Sequence, residues 1–226
     1  HGISQRTLAK VANKNFRNGV LNPNAFRRKE ISEQEILDSA MLNYPLTQYM
    51  FCAPDEGAAA VVMCRADIAH RYTDTPVYLR SVEIRTRTYG AYEVNTTFGP
   101  VEEVPAPTVF AARAAFERAG IGPEDVDVIQ LQDTDAGAEI IHMAECGFCA
   151  DGEQEKLIAD GATEIGGRLP INTHGGQLGE AYIHGMNGIA EGVRQLRGTS
   201  VNQVDNVEHV LVTAGTGVPT SGLILG

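Results

Sequence analysis

The chain of 226 residues lacks any run of about 18 apolar residues, the length that a membrane-spanning helix needs. Its start, His1-Gly2-Ile3-Ser4, also lacks the charged and apolar regions of a secretory signal peptide. These absences predict a cytoplasmic protein with no membrane span. An initiating methionine is absent too, so we expect a segment of a longer chain or a protein whose start was removed.

Positive charge is scarce, because 18 Lys and Arg face 29 Asp and Glu for a net charge of −11. Non-specific nucleic-acid binding depends on a basic surface, so no nucleic-acid partner is predicted. The first 70 residues are nevertheless slightly basic, with 8 basic and 7 acidic side chains. Their cations form either a solvated helix face or a landing surface for an anionic ligand such as a nucleotide phosphate. Seven of the eight lie within the first 29 residues, at Arg6, Lys10, Lys14, Arg17, Arg27, Arg28 and Lys29.

Cysteine is sparse as well. Cys146 and Cys149 form a single C-x-x-C pair, whereas a structural zinc site of this type takes four ligands. The pair follows a helical pattern instead of opening one, so it lacks the helix N-terminus that lowers the pKa of a redox thiol. Together with Cys52 and Cys64, these residues are predicted to be reduced, partly buried thiols, and no metal site is predicted.

Apolar periodicity and turn residues predict alternating helices and strands, and hence the α/β class. Ser4 and Ser32 are predicted N-caps, and Glu35 is predicted to complete a capping box. Thr108 is predicted to cap a helix that Gly120 ends. The predicted helices are Ser4–Asn18, Ile31–Ala40, Thr108–Ala119, Ala136–Glu145, Glu153–Ala159 and Met186–Arg197, and the predicted strands are Gly57–Cys64 (buried on both faces), Val77–Arg87, Val126–Leu131, Val207–Thr213 and Ser221–Leu225.

Three polar clusters adjoin predicted strand ends or helix starts, where open α/β sheets place their sites. They are Gln132–Asp135, His174–His184 and Thr213–Gly217. The second lies in the glycine-rich stretch Pro170–Gly185, which suits a backbone passing close to a ligand better than it suits a core strand. Its two histidines have no third ligand at a suitable spacing, so they are not predicted to bind a metal. The long loop containing Tyr89 and Tyr92 is predicted to be functional or interfacial.

The order of these clusters resembles the C-terminal half of the thiolase superfamily, most closely its sterol-carrier and lipid-transfer branch. Asn172–Gly176 matches that branch's Asn-Thr-His-Gly-Gly. The resemblance implies a thiolase-like layered α-β-α-β-α fold whose N-terminal half, with its acyl-accepting cysteine, is absent or incomplete. Residues 1–76 then resemble the loop domain that covers coenzyme A plus the last strand of that half. Residues 77–226 resemble the C-terminal domain.

This chain departs from the thiolase pattern at that family's catalytic positions. After the Gly-Gly pair and five further residues, Gln177–Ala181, where that family has its catalytic His followed by Pro, this chain has Tyr182 and Ile183. Thr213 stands where thiolases have their second cysteine, and Gln132–Asp135 replaces their Asn-Glu or His-Asp tetrad. A threonine hydroxyl cannot replace a thiolate base in Claisen condensation. A tyrosine can accept the proton of an alcohol, which suits retro-aldol cleavage of a β-hydroxyacyl thioester.

Within this branch the altered pattern resembles the actinobacterial steroid side-chain-cleaving aldolases. The resemblance implies release of propionyl-CoA from a 17-hydroxy steroid CoA thioester, which leaves a 17-keto steroid. It implies a homodimer of thiolase-like subunits with a hydratase-type partner bearing an OB-fold and zinc-ribbon domain. No cofactor is expected, since coenzyme A enters as the substrate thioester. The implied catalytic residues are Tyr182, Tyr92, His184, Asp133 and Asp135, and the implied substrate-binding residues are His174, Gly175, Gly176, Tyr89, Gln132, Thr213 and Gly215.

A second interpretation stays open beside the lyase. The alternative is a non-catalytic thiolase-like carrier of lipids or acyl-CoA, or a structural subunit, because the loss of the catalytic Cys and His is common to both classes. Replacement of those groups by other proton-handling side chains favours the enzyme, and Tyr182 is the clearest such replacement. An active thiolase would need a base that this pattern does not show.

Overall fold

The structure, a computed structural model, describes residues 2–86, 106–215 and 220–226. Helix α1 (Gln5–Val20) begins after Ser4, whose side chain accepts a hydrogen bond from the backbone N–H of Thr7. Ser32 caps α2 (Glu33–Asp38), and Glu35 completes the capping box. Both predicted caps are confirmed, because capping depends on residues within a single helical turn.

A mixed four-stranded sheet lies at the centre. Its strands, in spatial order, are β3 (Leu79–Arg85), β6 (Thr220–Leu225), β5 (Val210–Ala214) and β4 (Val128–Gln130). Strand β5 is parallel to β4 and antiparallel to β6, and β6 is antiparallel to β3. A parallel pair needs a long crossover, which the helices between β4 and β5 supply. A small hairpin of β1 (Met41–Asn43) and β2 (Leu46–Thr47) forms a separate sheet.

Alternate residues of the sheet face two helical layers, as the period of two in a strand requires. Ile129, Leu211 and Ile224 join the larger core with side chains of the helices on one face. On the other face of the sheet, Val128 and Val210 join a smaller core with the apolar side of helix α7 (Met186–Leu196). The α/β class is confirmed. The remaining helices are α3 (Pro107–Ala119), α4 (Ala136–Glu145), α5 (Gln154–Ala159) and α6 (Gly176–Gly179).

Within the three described ranges, no helix is long and apolar enough to cross a membrane. Short 3-10 helices fill some connections, and one of them is Ala66–Arg71.

Two sequence predictions are wrong. Gly57–Cys64 forms no strand and is largely exposed, with Val62 fully open to solvent. A strand needs a neighbour for its backbone groups, and none of the described residues pairs with this run. Thr108 is not a cap either, because α3 begins at Pro107 and Thr108 is buried within its first turn. Proline favours that first position because its missing N–H is not needed there. Gly120 does end the helix, at φ 74°.

Candidate functional site

The polar cluster after β4 places two carboxylates in different surroundings. Asp135 is the N-cap of α4, where its carboxylate accepts hydrogen bonds from the N–H groups of Gly137 at 2.8 Å and Ala138 at 3.0 Å. Burial raises its pKa above the ordinary value. The predicted helix start is confirmed, and it brings Asp135 into the wall of a cavity.

Asp133 lies inside the protein and holds the glycine-rich stretch in place. Its carboxylate accepts hydrogen bonds from the N–H groups of Gln177 at 2.8 Å and Leu178 at 3.3 Å, and from the Asn15 side chain at 3.0 Å. Burial holds its pKa well above the ordinary value, and the negative charge of Glu139 raises it further. Asp133 does not line the cavity that Asp135 lines. Its catalytic role stays a prediction.

The Gly175–Gly176 pair approaches the protein's own backbone closely. A side chain at Gly175 would lie 3.1 Å from the Gly19 backbone in α1, and one at Gly176 would overlap the Asp133 carboxylate. Both glycines also have positive φ, at 109° and 65°. These contacts explain why glycine stands at both positions, whereas the predicted binding of a ligand there stays a prediction.

A cavity of about 860 Å³ lies between the start of α1, the chain around Phe51, and α4. This volume is in the range of pockets that bind small organic ligands. Most of its wall is apolar, with a few polar groups. The lining residues include Ile3, Leu8, Pro45, Leu46, Phe51, Cys52, Thr134, Asp135, Ile140, Ile141, His142, Glu145 and Tyr182.

Tyr182 is half-buried at one end of this wall. Its backbone N–H lies 3.1 and 3.2 Å from the two carboxylate oxygens of Asp55. Its ring contacts the ring of His184, with centroids 4.6 Å apart. His184 is exposed and has a left-handed backbone at φ 53°. The structure therefore brings together three of the predicted catalytic side chains, since Asp135 and Tyr182 share the cavity and His184 adjoins Tyr182.

A buried histidine that the sequence analysis missed joins this cavity to β5. His142, on α4, has 2 % exposure, and its Nδ1 lies 3.3 Å from Thr213 Oγ1. Thr213 Oγ1 also accepts the backbone N–H of Gln132 at 2.9 Å, and the Gln132 side chain is hydrogen-bonded to Gln177. Positions 135, 138, 142 and 145 share one helical face, and that spacing is the signal that points to His142.

Burial sets the protonation of the side chains in this wall. It lowers the pKa of His142 to about 4, so the imidazole is neutral at neutral pH. Burial raises the pKa of the Cys52 thiol to about 11, and the negative charge of Asp133 adds to that effect. Cys52 is thus a neutral thiol, and it does not supply the thiolate base of a thiolase.

The remaining predicted site residues lie apart from the cavity or outside the described ranges. His174 is buried, with Nε2 3.4 Å from a carboxylate oxygen of Glu180. Gly215 follows the end of β5 at φ 85°. Tyr89 and Tyr92 lie outside the described residues.

The cations of the first third are only partly at the surface, because Arg6, Arg17, Arg28 and Lys29 are exposed whereas Lys14 is buried. Lys14 is 1 % exposed, and its Nζ lies 2.5 Å from Glu139 Oε1 and 3.0 Å from the Ile171 carbonyl oxygen. It is neither on a solvated face nor on a landing surface. Arg17 pairs with Glu164 at 2.8 Å. Arg27 packs over the Phe16 ring and donates to two backbone carbonyls.

Comparison with known proteins gives a consistent result. Residues 103–225 match the family model described as "Thiolase C-terminal domain-like". The whole chain is 45 % identical over 226 residues to the 17-hydroxy-3-oxo-4-pregnene-20-carboxyl-CoA lyase of Mycobacterium tuberculosis (strain ATCC 25618 / H37Rv). It is 40 % identical over 228 residues to the steroid side-chain-cleaving aldolase of Thermomonospora curvata. The chain spans 58 % of the length of each of these two proteins.

Solved structures agree with the sequence matches. A structure described as an Ltp2-ChsH2(DUF35) aldolase superposes with a TM-score of 0.91 at 37 % identity, covering all of this chain and 59 % of that one. A monomeric SCP2-thiolase like protein from Mycobacterium smegmatis superposes with a TM-score of 0.68 at 19 % identity, covering all of this chain and 47 % of that one, which shows the fold alone. The thiolase-like fold predicted for the chain is confirmed.

Proposed function

Because the chain belongs to the thiolase superfamily, we propose that the protein cleaves a β-hydroxyacyl-CoA by a retro-aldol reaction, with a 17-hydroxy steroid side-chain thioester as the substrate class. Two relatives at 45 % and 40 % identity carry the names of a steroid-CoA lyase and a steroid side-chain-cleaving aldolase. The observation that carries the proposal is Tyr182, which stands at the position of the thiolase histidine and lines the apolar cavity.

One tyrosine can carry out both proton transfers of the proposed reaction. The Tyr182 phenolate removes the proton of the substrate's tertiary hydroxyl as the bond between the hydroxyl-bearing carbon and the α-carbon breaks. The oxygen becomes the carbonyl of a 17-keto steroid, and the electron pair passes to the thioester as an enolate. The phenol then returns its proton to the α-carbon, which gives propionyl-CoA. These reaction steps need no redox cofactor, and coenzyme A takes part only as the thioester of the substrate.

The surroundings of Tyr182 support this role. The backbone hydrogen bonds to Asp55 fix its position at the cavity wall, and His184 lies against its ring. A wall that is mostly apolar suits the hydrocarbon body of a steroid, because burying apolar surface favours binding. The Cys52 thiol in this wall is neutral, so it does not supply a thiolate for Claisen chemistry.

Tyr182→Phe tests the proposal because it removes only the hydroxyl group. We expect kcat for release of propionyl-CoA from a 17-hydroxy steroid CoA thioester to fall by roughly 10²- to 10⁴-fold, the usual contribution of a general acid–base group. Tyr72→Phe is the matched control, since Tyr72 is exposed and lies outside the cavity wall. A Tyr182→Phe protein that keeps the parent's melting temperature and its rate would contradict the role.

The alternative of a lipid or acyl-CoA carrier makes a different prediction for the unmodified protein. A carrier binds the steroid thioester and releases it unchanged, so no propionyl-CoA forms at any enzyme concentration. Mass spectrometry of the products separates the two functions.

A partner subunit belongs to the same proposal. The solved structure that superposes at a TM-score of 0.91 is described as an aldolase of Ltp2 with a DUF35 subunit. We propose that this protein acts as a homodimer with a hydratase-type partner bearing an OB-fold and zinc-ribbon domain. Co-expression followed by size-exclusion chromatography with light scattering tests this assembly.

A further inference from the structure

His142 is a polar group in the cavity wall that the proposed reaction has not yet used. It lies on α4 at 2 % exposure and lines the cavity together with Tyr182. The thiolase pattern places at position 182 a histidine that holds the enolate oxygen, and this chain has tyrosine there. The structure supplies an imidazole to the same cavity from another element.

The hydrogen bonds of Thr213 favour one tautomer of His142. Thr213 Oγ1 accepts the N–H of Gln132, so its own hydroxyl hydrogen needs an acceptor, and His142 Nδ1 lies 3.3 Å away. If Nδ1 accepts that hydrogen, the ring proton sits on Nε2, and both buried groups have partners. The alternative tautomer would leave the Thr213 hydroxyl hydrogen without this acceptor.

The Nε2 side of the ring then presents a neutral N–H donor to the cavity that His142 lines. Nε2 lies 3.9 Å from Glu145 Oε2, which is beyond hydrogen-bond distance, and Glu145 lines the same cavity. Burial keeps the imidazole uncharged at neutral pH. A fixed donor in a water-poor site stabilises an oxyanion more strongly than the same donor does in water.

We propose that His142 Nε2–H donates a hydrogen bond to the thioester carbonyl oxygen and stabilises the enolate that forms when the carbon–carbon bond breaks. This inference rests on the proposed retro-aldol function for the reaction that it assists. It also makes a prediction about thioester binding that does not depend on turnover. Thr213 is then a positioning residue, because it acts only through the tautomer of His142.

The test compares His142→Leu, which removes the donor, with His142→Gln, which keeps an N–H donor. We expect His142→Leu to lower kcat by about 10²- to 10³-fold, the usual loss of one oxyanion donor, with a much smaller change in KM. His142→Gln is expected to recover part of that loss. Thr213→Val, which removes the hydroxyl but keeps the shape, is expected to give an intermediate loss. His70→Leu is the matched control, since His70 is exposed and outside the cavity wall.

The second readout is the carbonyl stretch of bound propionyl-CoA, labelled with ¹³C at the carbonyl and measured by infrared difference spectroscopy in the complete protein with its partner. In the parent and in Tyr182→Phe, we expect the band to shift to lower frequency than in free propionyl-CoA. In His142→Leu we expect that shift to be lost.

The outcomes separate the two proposals. If the parent shows the band shift but cleaves no steroid thioester, the proposed function fails and His142 keeps its role as a carbonyl donor. If the parent cleaves the substrate while His142→Leu keeps the band shift and a kcat within threefold of the parent, the inference about His142 is wrong. A parent protein that shows no band shift also overturns it.

Discussion

At the scale of single residues, the most demanding interaction is the buried pair of Lys14 and Glu139. Neither side chain is more than 1 % exposed, so each charge has lost its water and depends on its partners. Glu139 Oε2 also accepts hydrogen bonds from the amide groups of Asn15 at 2.9 Å and Asn172 at 2.8 Å. This network joins α1, α4 and the glycine-rich stretch.

Removing one partner of this pair should destabilise the protein strongly. We expect Lys14→Met to lower the free energy of unfolding by about 3–5 kcal/mol, because it leaves the Glu139 carboxylate buried without a cation. The double variant Lys14→Met with Glu139→Gln is expected to recover much of that loss, since the amide is neutral and still accepts hydrogen bonds. Urea unfolding measures both changes, and a single variant within 1 kcal/mol of the parent would contradict this account.

The same residues show the limit of sequence reasoning at this scale. Lys14 was predicted to be on a helix surface because a lysine in an isolated helix points to solvent, and its partner Glu139 is 125 residues away. His142 escaped notice for the related reason that its spacing from Asp135 and Glu145 places it on one helical face without showing that this face lines a cavity. Tyr182 was found because the resemblance to thiolases assigns a role to its position, and that role stays a prediction until the variant is measured.

At the scale of secondary-structure elements, the starts of helices could be predicted from the sequence, whereas the pairing of strands could not. The helices α1 and α2 begin at their predicted caps, since a cap involves only the first helical turn, and α4 begins at its predicted first residue, Ala136. The strands β3, β4, β5 and β6 lie within or beside their predicted ranges. Gly57–Cys64 failed as a strand because an apolar run does not reveal whether a neighbouring strand is available.

The first residue of α6, Gly176, allows a matched test of glycine packing. Gly176 and Gly198 have nearly the same backbone, at φ 65° and 67°, but only Gly176 has a neighbour that a side chain would overlap, the Asp133 carboxylate. Gly198→Ala should cost about 1 kcal/mol for the left-handed backbone alone. Gly176→Ala should cost at least about 2 kcal/mol more, because the methyl group displaces a buried carboxylate. Equal melting temperatures for the two variants would refute the proposed packing.

At the scale of the whole molecule, His142 makes stability depend on pH. Its pKa is about 4 in the folded protein, against an ordinary 6.5 in the unfolded chain. Below pH 6.5 the unfolded chain binds a proton that the folded protein does not, so stability falls as pH drops from 6.5 towards 4. The loss from this one group should reach roughly 1 kcal/mol at pH 5.5.

The measurement is urea unfolding at pH 7 and pH 5.5 for the parent and for His142→Gln. Lower pH is less useful, because the sequence pI is about 5.0 and proteins lose solubility near zero net charge. We expect the parent to lose roughly 1 kcal/mol more than the variant between the two pH values. Parallel losses would show that His142 is not buried in its neutral form.

The position of α4 also limits how the sequence of this site can change in evolution. The helix begins at a cap in the cavity wall, carries the buried carboxylate Glu139, and lines the cavity again from Ile140 to His142. Inserting one residue would turn everything after it by about 100°, so the core and the cavity would lose their partners together. Changes in substrate range should therefore arise by substitution and not by insertion. Ile141, which lines the cavity and is 43 % exposed, is the position where a smaller or larger side chain can reshape the pocket while the register stays intact.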